Sequence, residues 1–186
     1  MSRAKTTFDA GIRDAEVLLK HFDGVKATLS QGDGEVFKRA TLILAFTAWE
    51  TYVEERVVEA LEEKIARAER NDFAEFVERK LKEDLKSFNN PNTEKTRKLF
   101  RDFLSVDDIT KSWTWNNFDS ARAKRTLDDL ISKRGHAVHH VRVSKSGTPD
   151  PHLVTRDDLR KAIVFLTSVV EATEKCLDVL PGKQSP

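Results

Sequence analysis

An all-α fold, an up-and-down bundle of about five to six helices, is predicted by three observations. Apolar residues recur at spacings of three and four through most of the chain. Polar or glycine-bearing stretches separate these runs. No strand pair, internal repeat or low-complexity segment interrupts them, apart from a short tail. With 186 residues the chain can bury one core but hardly two. One helical domain is therefore expected over residues 1–180, with a disordered tail at 181–186.

The first helix is expected over residues 3–29, where Phe8, Ile12, Ala15, Leu18, Leu19, Phe22 and Val25 share one face. The glycine-bearing stretch 31–34 is read as its stop. A second pattern runs from about residue 35 to 70, long for a domain of this size, so that it should protrude or bend. Its first half, with Phe37, Leu42, Ala45, Phe46, Trp49 and Val53, is expected to be the central core helix, and its second half to be charged and more exposed. Glu50 stands inside the apolar half. It either reaches the surface, pairs with an arginine, or orients a functional group.

Residues 71 and 72 break this run. Phe73, Phe76, Val77, Leu81, Leu85 and Phe88 then define a third helix, which the sequence N-N-P-N at 89–92 ends. A shorter fourth helix starts at Thr93 and Glu94 and extends to Leu104. Trp113 and Trp115 follow, as a plug at the end of the bundle or as a platform for stacked bases. A fifth helix begins near Phe118 or Asp119, and a last one follows the capping box at residues 155–158, burying Leu159, Ile163, Leu166, Val170 and Leu177.

Between these two helices lies the most unusual stretch, residues 132–142, S-K-R-G-H-A-V-H-H-V-R. It gathers Lys133, Arg134, His136, His139, His140 and Arg142 with no acid, although the chain as a whole balances 32 basic against 31 acidic residues. Arginine offers a planar fork of donors that fits a phosphate, and histidine exchanges protons near neutral pH. Together they supply what metal-independent phosphodiester cleavage needs. Two readings compete with this one: a solvated basic helix end, and a metal site on His136 and His140, four residues apart. No Cys, Asp or Glu lies within the stretch to complete a metal shell, so neither a metal nor another cofactor is expected.

The spacing Arg134-x4-His139 resembles the R-x4–6-H signature of the HEPN superfamily. Leu127, Leu130 and Arg134 match the L-x-x-L-x-x-x-R helix that leads into the motif in its RiboL-PSP branch. The polar loop at 144–154, the last helix, and the apolar helix around residues 45–52 extend the resemblance over most of the chain. In that family a polar residue, often Asn, usually follows the arginine; here it is Gly135.

The resemblance implies a metal-independent endoribonuclease. Arg134 would stabilise the phosphorane and His139 would act as general acid or base. Lys133, His140 and Arg142 would contact the RNA backbone. His140 also fits the spacing, whereas His136 lies too close to Arg134. Five residues apart on one helix, Arg134 and His139 would diverge by about 140°. Either Gly135 bends the chain or a symmetric partner supplies the other half. The resemblance implies the second at least in part, a homodimer whose paired motifs face each other across the two-fold axis. RNA is then the expected substrate, and one setting is the toxin of a toxin–antitoxin or phage-defence pair, with an antitoxin protein as a further partner. The alternative is a non-catalytic HEPN module that binds RNA or a nucleotide, or that scaffolds a partner.

Composition sets further bounds. A net charge of +1 argues against general wrapping of nucleic acid, so any contact should be local. No membrane partner is expected, because no run approaches the roughly eighteen apolar residues that a span needs, and with no signal-type block after Met1 a cytoplasmic location is expected. The single cysteine, Cys176, excludes an internal disulfide and is read as a small core residue.

Overall fold

The computed structural model describes residues 1–67, 72–139 and 153–179. Among them are six α-helices: α1 (Arg3–Val25), α2 (Gln31–Arg67), α3 (Asp72–Leu85), α4 (Thr93–Leu104), α5 (Ser120–His139) and α6 (Arg156–Asp178), with a 3-10 turn at Ile109–Ser112. The only strand-like pairing among the described residues is an isolated bridge between Trp115 and Phe118. The expected all-α bundle is therefore the observed one. The tail at 181–186 lies outside the described residues.

α1 and α2 form the most extensive pair. Phe8, Ile12, Ala15 and Leu19 of α1 are buried against Ala45, Trp49, Tyr52 and Val53 of α2. At their closest approach Gly11 faces Ala48, and a Cβ on Gly11 would come within 2.9 Å of the Ala48 Cβ. Glycine allows the two backbones to meet there. α2 also caps its neighbour: the Glu59 carboxylate accepts the backbone N–H groups of Arg3 and Ala4 at 3.0 Å, satisfying donors that a helix start leaves open.

The stop expected at 31–34 proved to be a start. Ser30 accepts the Asp33 N–H at 3.2 Å, and Gly32 and Gly34 lie inside the first turns of α2. α1 ends instead at Val25, with Lys26 as its C-cap. A serine three residues ahead of an acid outweighed the modest helix penalty of two glycines. At 37 residues α2 spans about 55 Å. As expected, its first half carries most of the large buried side chains.

α6 closes the core against α1 and α2, and Thr155 and Asp158 form the capping box that the sequence indicated. Trp113 is fully buried, its ring edge-on to Trp49 at 6.1 Å, and its Nε1 donates to Thr173 Oγ1 at 3.0 Å. It plugs the bundle. Trp115 is half-buried and stacks on Phe118 at 5.0 Å, while the Arg122 guanidinium covers Phe118 at 4.5 Å. That pair is thus occupied by its own neighbours.

One buried charge was not anticipated. Arg56 of α2 has no exposed surface, and its Nε donates to Glu174 Oε1 of α6 at 2.8 Å, an oxygen that also accepts the Tyr52 hydroxyl at 2.9 Å. Burial, reinforced by the Glu174 charge, pushes the Tyr52 hydroxyl well above its ordinary pKa. The three side chains brace the middle of α2 against α6.

Candidate functional site

Arg134 sits on α5, half-buried, and α5 continues without a break through Gly135 to His139. The helix is not interrupted at Gly135. His139 is the last described residue of α5, five positions beyond Arg134, and the turn of about 100° per residue leaves the two positions about 140° apart. His140 and Arg142 lie outside the described residues. Lys133 is half-buried and pairs with Asp129 one turn earlier at 2.8 Å; its charge also helps to hold the Asp158 carboxyl at the start of α6 below the usual carboxylate range, after the hydrogen bonds from Thr155.

What fixes Arg134 comes from elsewhere in the chain. Its NH1 donates to the side-chain oxygen of Asn90, in the connection between α3 and α4. Asn90 is one of three non-glycine residues with positive φ among those described, at 47°, a region that asparagine tolerates better than most residues. Its backbone N–H donates to Glu50 Oε2 at 2.9 Å. Glu50 is therefore linked to Arg134 through one intermediary.

The rest of the connection is tied down on both sides. Trp49 Nε1 of α2 donates to the Pro91 carbonyl at 2.9 Å. On the other side, Thr93 donates its N–H to Asp128 at 2.9 Å and its hydroxyl to the Lys124 carbonyl at 3.2 Å, both on α5. The stretch 89–92 is thus a polar strap joining α2 to α5. It holds the arginine by one terminal nitrogen. The Nε of Arg134 is buried and has no hydrogen-bond partner among the described residues. An anion that reached that nitrogen would satisfy it, since guanidinium binds phosphate bidentately.

Behind the strap, α2 carries a short acidic run. Burial, with help from Glu50 and Glu55, raises the Glu54 carboxyl to about 7. Of this run, Glu50 accepts the Asn90 N–H of the strap from the middle of α2.

These positions lie within the span matched by the RiboL-PSP-HEPN family model, which covers residues 11–179. The chain belongs to the RiboL-PSP-HEPN family. Comparison with curated proteins and with solved structures found no significant match. The HEPN match runs from the middle of α1 to the end of α6, so the motif helix and the strap both fall inside it. Among the described residues no helix is long and apolar enough to cross a membrane. None of the described His, Cys, Asp and Glu side chains gather in threes suited to a metal ion.

Asn90 was missed in the sequence, where N-N-P-N read only as a helix stop. Its signal was weak: asparagine is common in turns for several reasons, and a left-handed backbone linked to a residue 44 positions away leaves no periodic trace.

Proposed function

We propose that this HEPN protein is a metal-independent endoribonuclease that acts as a homodimer. The observation that carries the proposal is the anchored Arg134, held by Asn90 with its buried Nε unpaired among the described residues, at the arginine of the family motif. In the reaction the ribose 2′-oxygen attacks phosphorus and loses its proton to a histidine. The bond from phosphorus to the 5′-oxygen breaks, and that oxygen takes up a proton. The products are a 2′,3′-cyclic phosphate and a 5′-hydroxyl end. Arg134 stabilises the charge that accumulates on the phosphoryl oxygens. His139 is the proton carrier, and Lys133, His140 and Arg142 bind the neighbouring backbone.

The unbroken α5 supports the dimeric form of this reading. Positions about 140° apart on one helix do not converge on one phosphate, whereas a two-fold axis can set the arginine of one protomer near the histidine of the other. A toxin restrained by a cognate antitoxin, or a phage-defence effector, is the biological setting we assign to such an activity.

The test is cleavage of a mixed RNA pool in EDTA by matched preparations of the wild type, Arg134→Ala and His139→Ala. Cutting by the wild type alone, with cyclic-phosphate ends, is expected; equal cutting by all three would refute the assignment. A second reading rests on Gly135, which stands where the family usually has a polar residue: a HEPN module that binds RNA without turning it over. It predicts salt-sensitive binding with no cleavage by any of the three preparations.

A further inference from the structure

A hollow of about 520 Å³ lies away from the motif, between α3 and α4. Phe76, Phe88 and Phe103 line it together with Lys80, Lys95 and Lys98. α3 stands open on this side. Phe73 is 72% exposed and Phe76 is 52% exposed, although both lie on the apolar face of the helix. Aromatic rings alternating with lysines are the composition of a groove for single-stranded nucleic acid, where rings stack bases and ammonium groups follow phosphates.

Two carboxylates share the groove, Asp84 paired with Lys80 and Asp102 paired with Lys98. Both are solvent-facing pairs one helical turn apart, so a phosphate can displace them at little cost. Lys95 is placed differently. Its ammonium donates to the Asn89 carbonyl at 2.6 Å and to the Asn89 side chain at 3.1 Å. The next residue, Asn90, accepts from Arg134. The groove therefore begins at the same strap that anchors the motif arginine, and one strand can run from Arg134 over Lys95 into it.

We infer that the α3–α4 groove binds the single-stranded RNA flanking the phosphate held at Arg134, stacking its bases on Phe76, Phe88 and Phe103 and pairing its backbone with Lys80, Lys95 and Lys98. The inference rests on the ribonuclease reading above and adds the path of the substrate. A protein helix would also fit an apolar hollow, but the lysines and the continuity with Arg134 favour RNA.

Fluorescence anisotropy with a fluorescein-labelled oligouridine, alongside cleavage of the same oligomer, tests it. Lys80→Glu/Lys98→Glu should weaken binding roughly tenfold and flatten its salt dependence. Phe76→Ala should weaken it about fivefold through lost stacking. Asp102→Asn should tighten it, by removing a repulsive charge and freeing Lys98. The loss should fall on KM rather than kcat, with unchanged thermal midpoints, since the substituted side chains are exposed. Oligomer binding that Arg134→Ala weakens but the groove variants do not would overturn the groove and leave the ribonuclease reading standing. Groove variants that alter sedimentation instead of RNA affinity would likewise overturn it, marking a protein interface. Neither binding nor cleavage by the wild type would sink both readings together.

Discussion

Two parts of this molecule bring distant residues together by different forces. In the α1–α2–α6 core most of the contact is apolar, with Phe8, Trp49, Tyr52 and Trp113 fully buried and Gly11 meeting Ala48 almost backbone to backbone, and the Arg56–Glu174–Tyr52 brace is the polar exception. At the strap the joints are hydrogen bonds to main-chain atoms: Glu50 to the Asn90 N–H, Trp49 to the Pro91 carbonyl, Asp128 to the Thr93 N–H. Dispersion and burial have no direction, so the core provides stability without fixing any single functional atom. Hydrogen bonds add less stability but set angles, and the strap uses them to aim one guanidinium. Stability and site geometry should therefore respond to different substitutions.

The largest expected effect tests the first half of that contrast. Trp113→Ala should cost about 3–5 kcal/mol in denaturant unfolding, through a large cavity and the lost hydrogen bond to Thr173, and should lower activity only by unfolding the protein. Arg134→Ala should do the reverse. It should reduce cleavage by about 10²–10³-fold while the thermal midpoint moves little. If Arg134→Ala instead melted the bundle, the arginine would be a structural brace and the contrast would fail.

Smaller effects sharpen it. Gly11→Val should destabilise by about 1–3 kcal/mol, because a side chain there forces α1 from α2, and this should be read by unfolding alone. Asn90→Ala keeps the strap's backbone links to Glu50 but frees the arginine. A drop of about tenfold in kcat with a loss of no more than about 1 kcal/mol in stability is expected, and Asn90→Asp should recover part of it by accepting from NH1. Equal losses in both measurements would mean that the strap is merely part of the core.

The smallest effect concerns pH. The folded Glu54 carboxyl titrates near 7, above its ordinary value of 4.5, so the folded state resists ionising it. Its unfavourable contribution is absent below about pH 4.5, grows as the unfolded chain ionises, and is complete above about 7. Glu54→Gln should therefore stabilise the protein at pH 8 by about 1 kcal/mol or less, given the partial exposure of the group, and should do nothing at pH 4. Thermal melts at the two pH values check this.

Gly135 offers a separate handle on the family motif. Among the described residues a Cβ there would meet nothing within 4 Å, so Gly135→Asn leaves their packing unchanged. Restoring the family's usual polar residue should raise cleavage if the glycine limits it, and circular dichroism should show the helix kept or strengthened.

The fold was legible because its signals are periodic. The apolar rows of α1 and α6, the Thr155–Asp158 cap and the start of α4 at Thr93 all appear in the structure where local spacing put them. The boundary at residues 25–31 was read wrongly because two glycines resemble a stop, while the decisive serine cap is a single side chain. In the same way the motif was visible as a cluster of basic residues without acids, and Glu50 as an acid in an apolar run. Their connection was not visible, since it passes through a left-handed asparagine in a loop.

By itself, then, the sequence determined what local patterns can encode: an all-helical chain, its core faces, its caps and the Arg134–His139 motif of a HEPN protein. Hydrophobic periodicity and capping act over one or two turns, within the reach of neighbouring residues. Only the tertiary structure decided that Arg56 would be buried against Glu174, that Asn90 would hold Arg134, and that α3 and α4 would leave a lysine-rimmed groove beside that strap. The first two join residues 118 and 44 positions apart and the third depends on how two neighbouring helices pack, and no spacing rule in a sequence records which surfaces the packing of helices brings together.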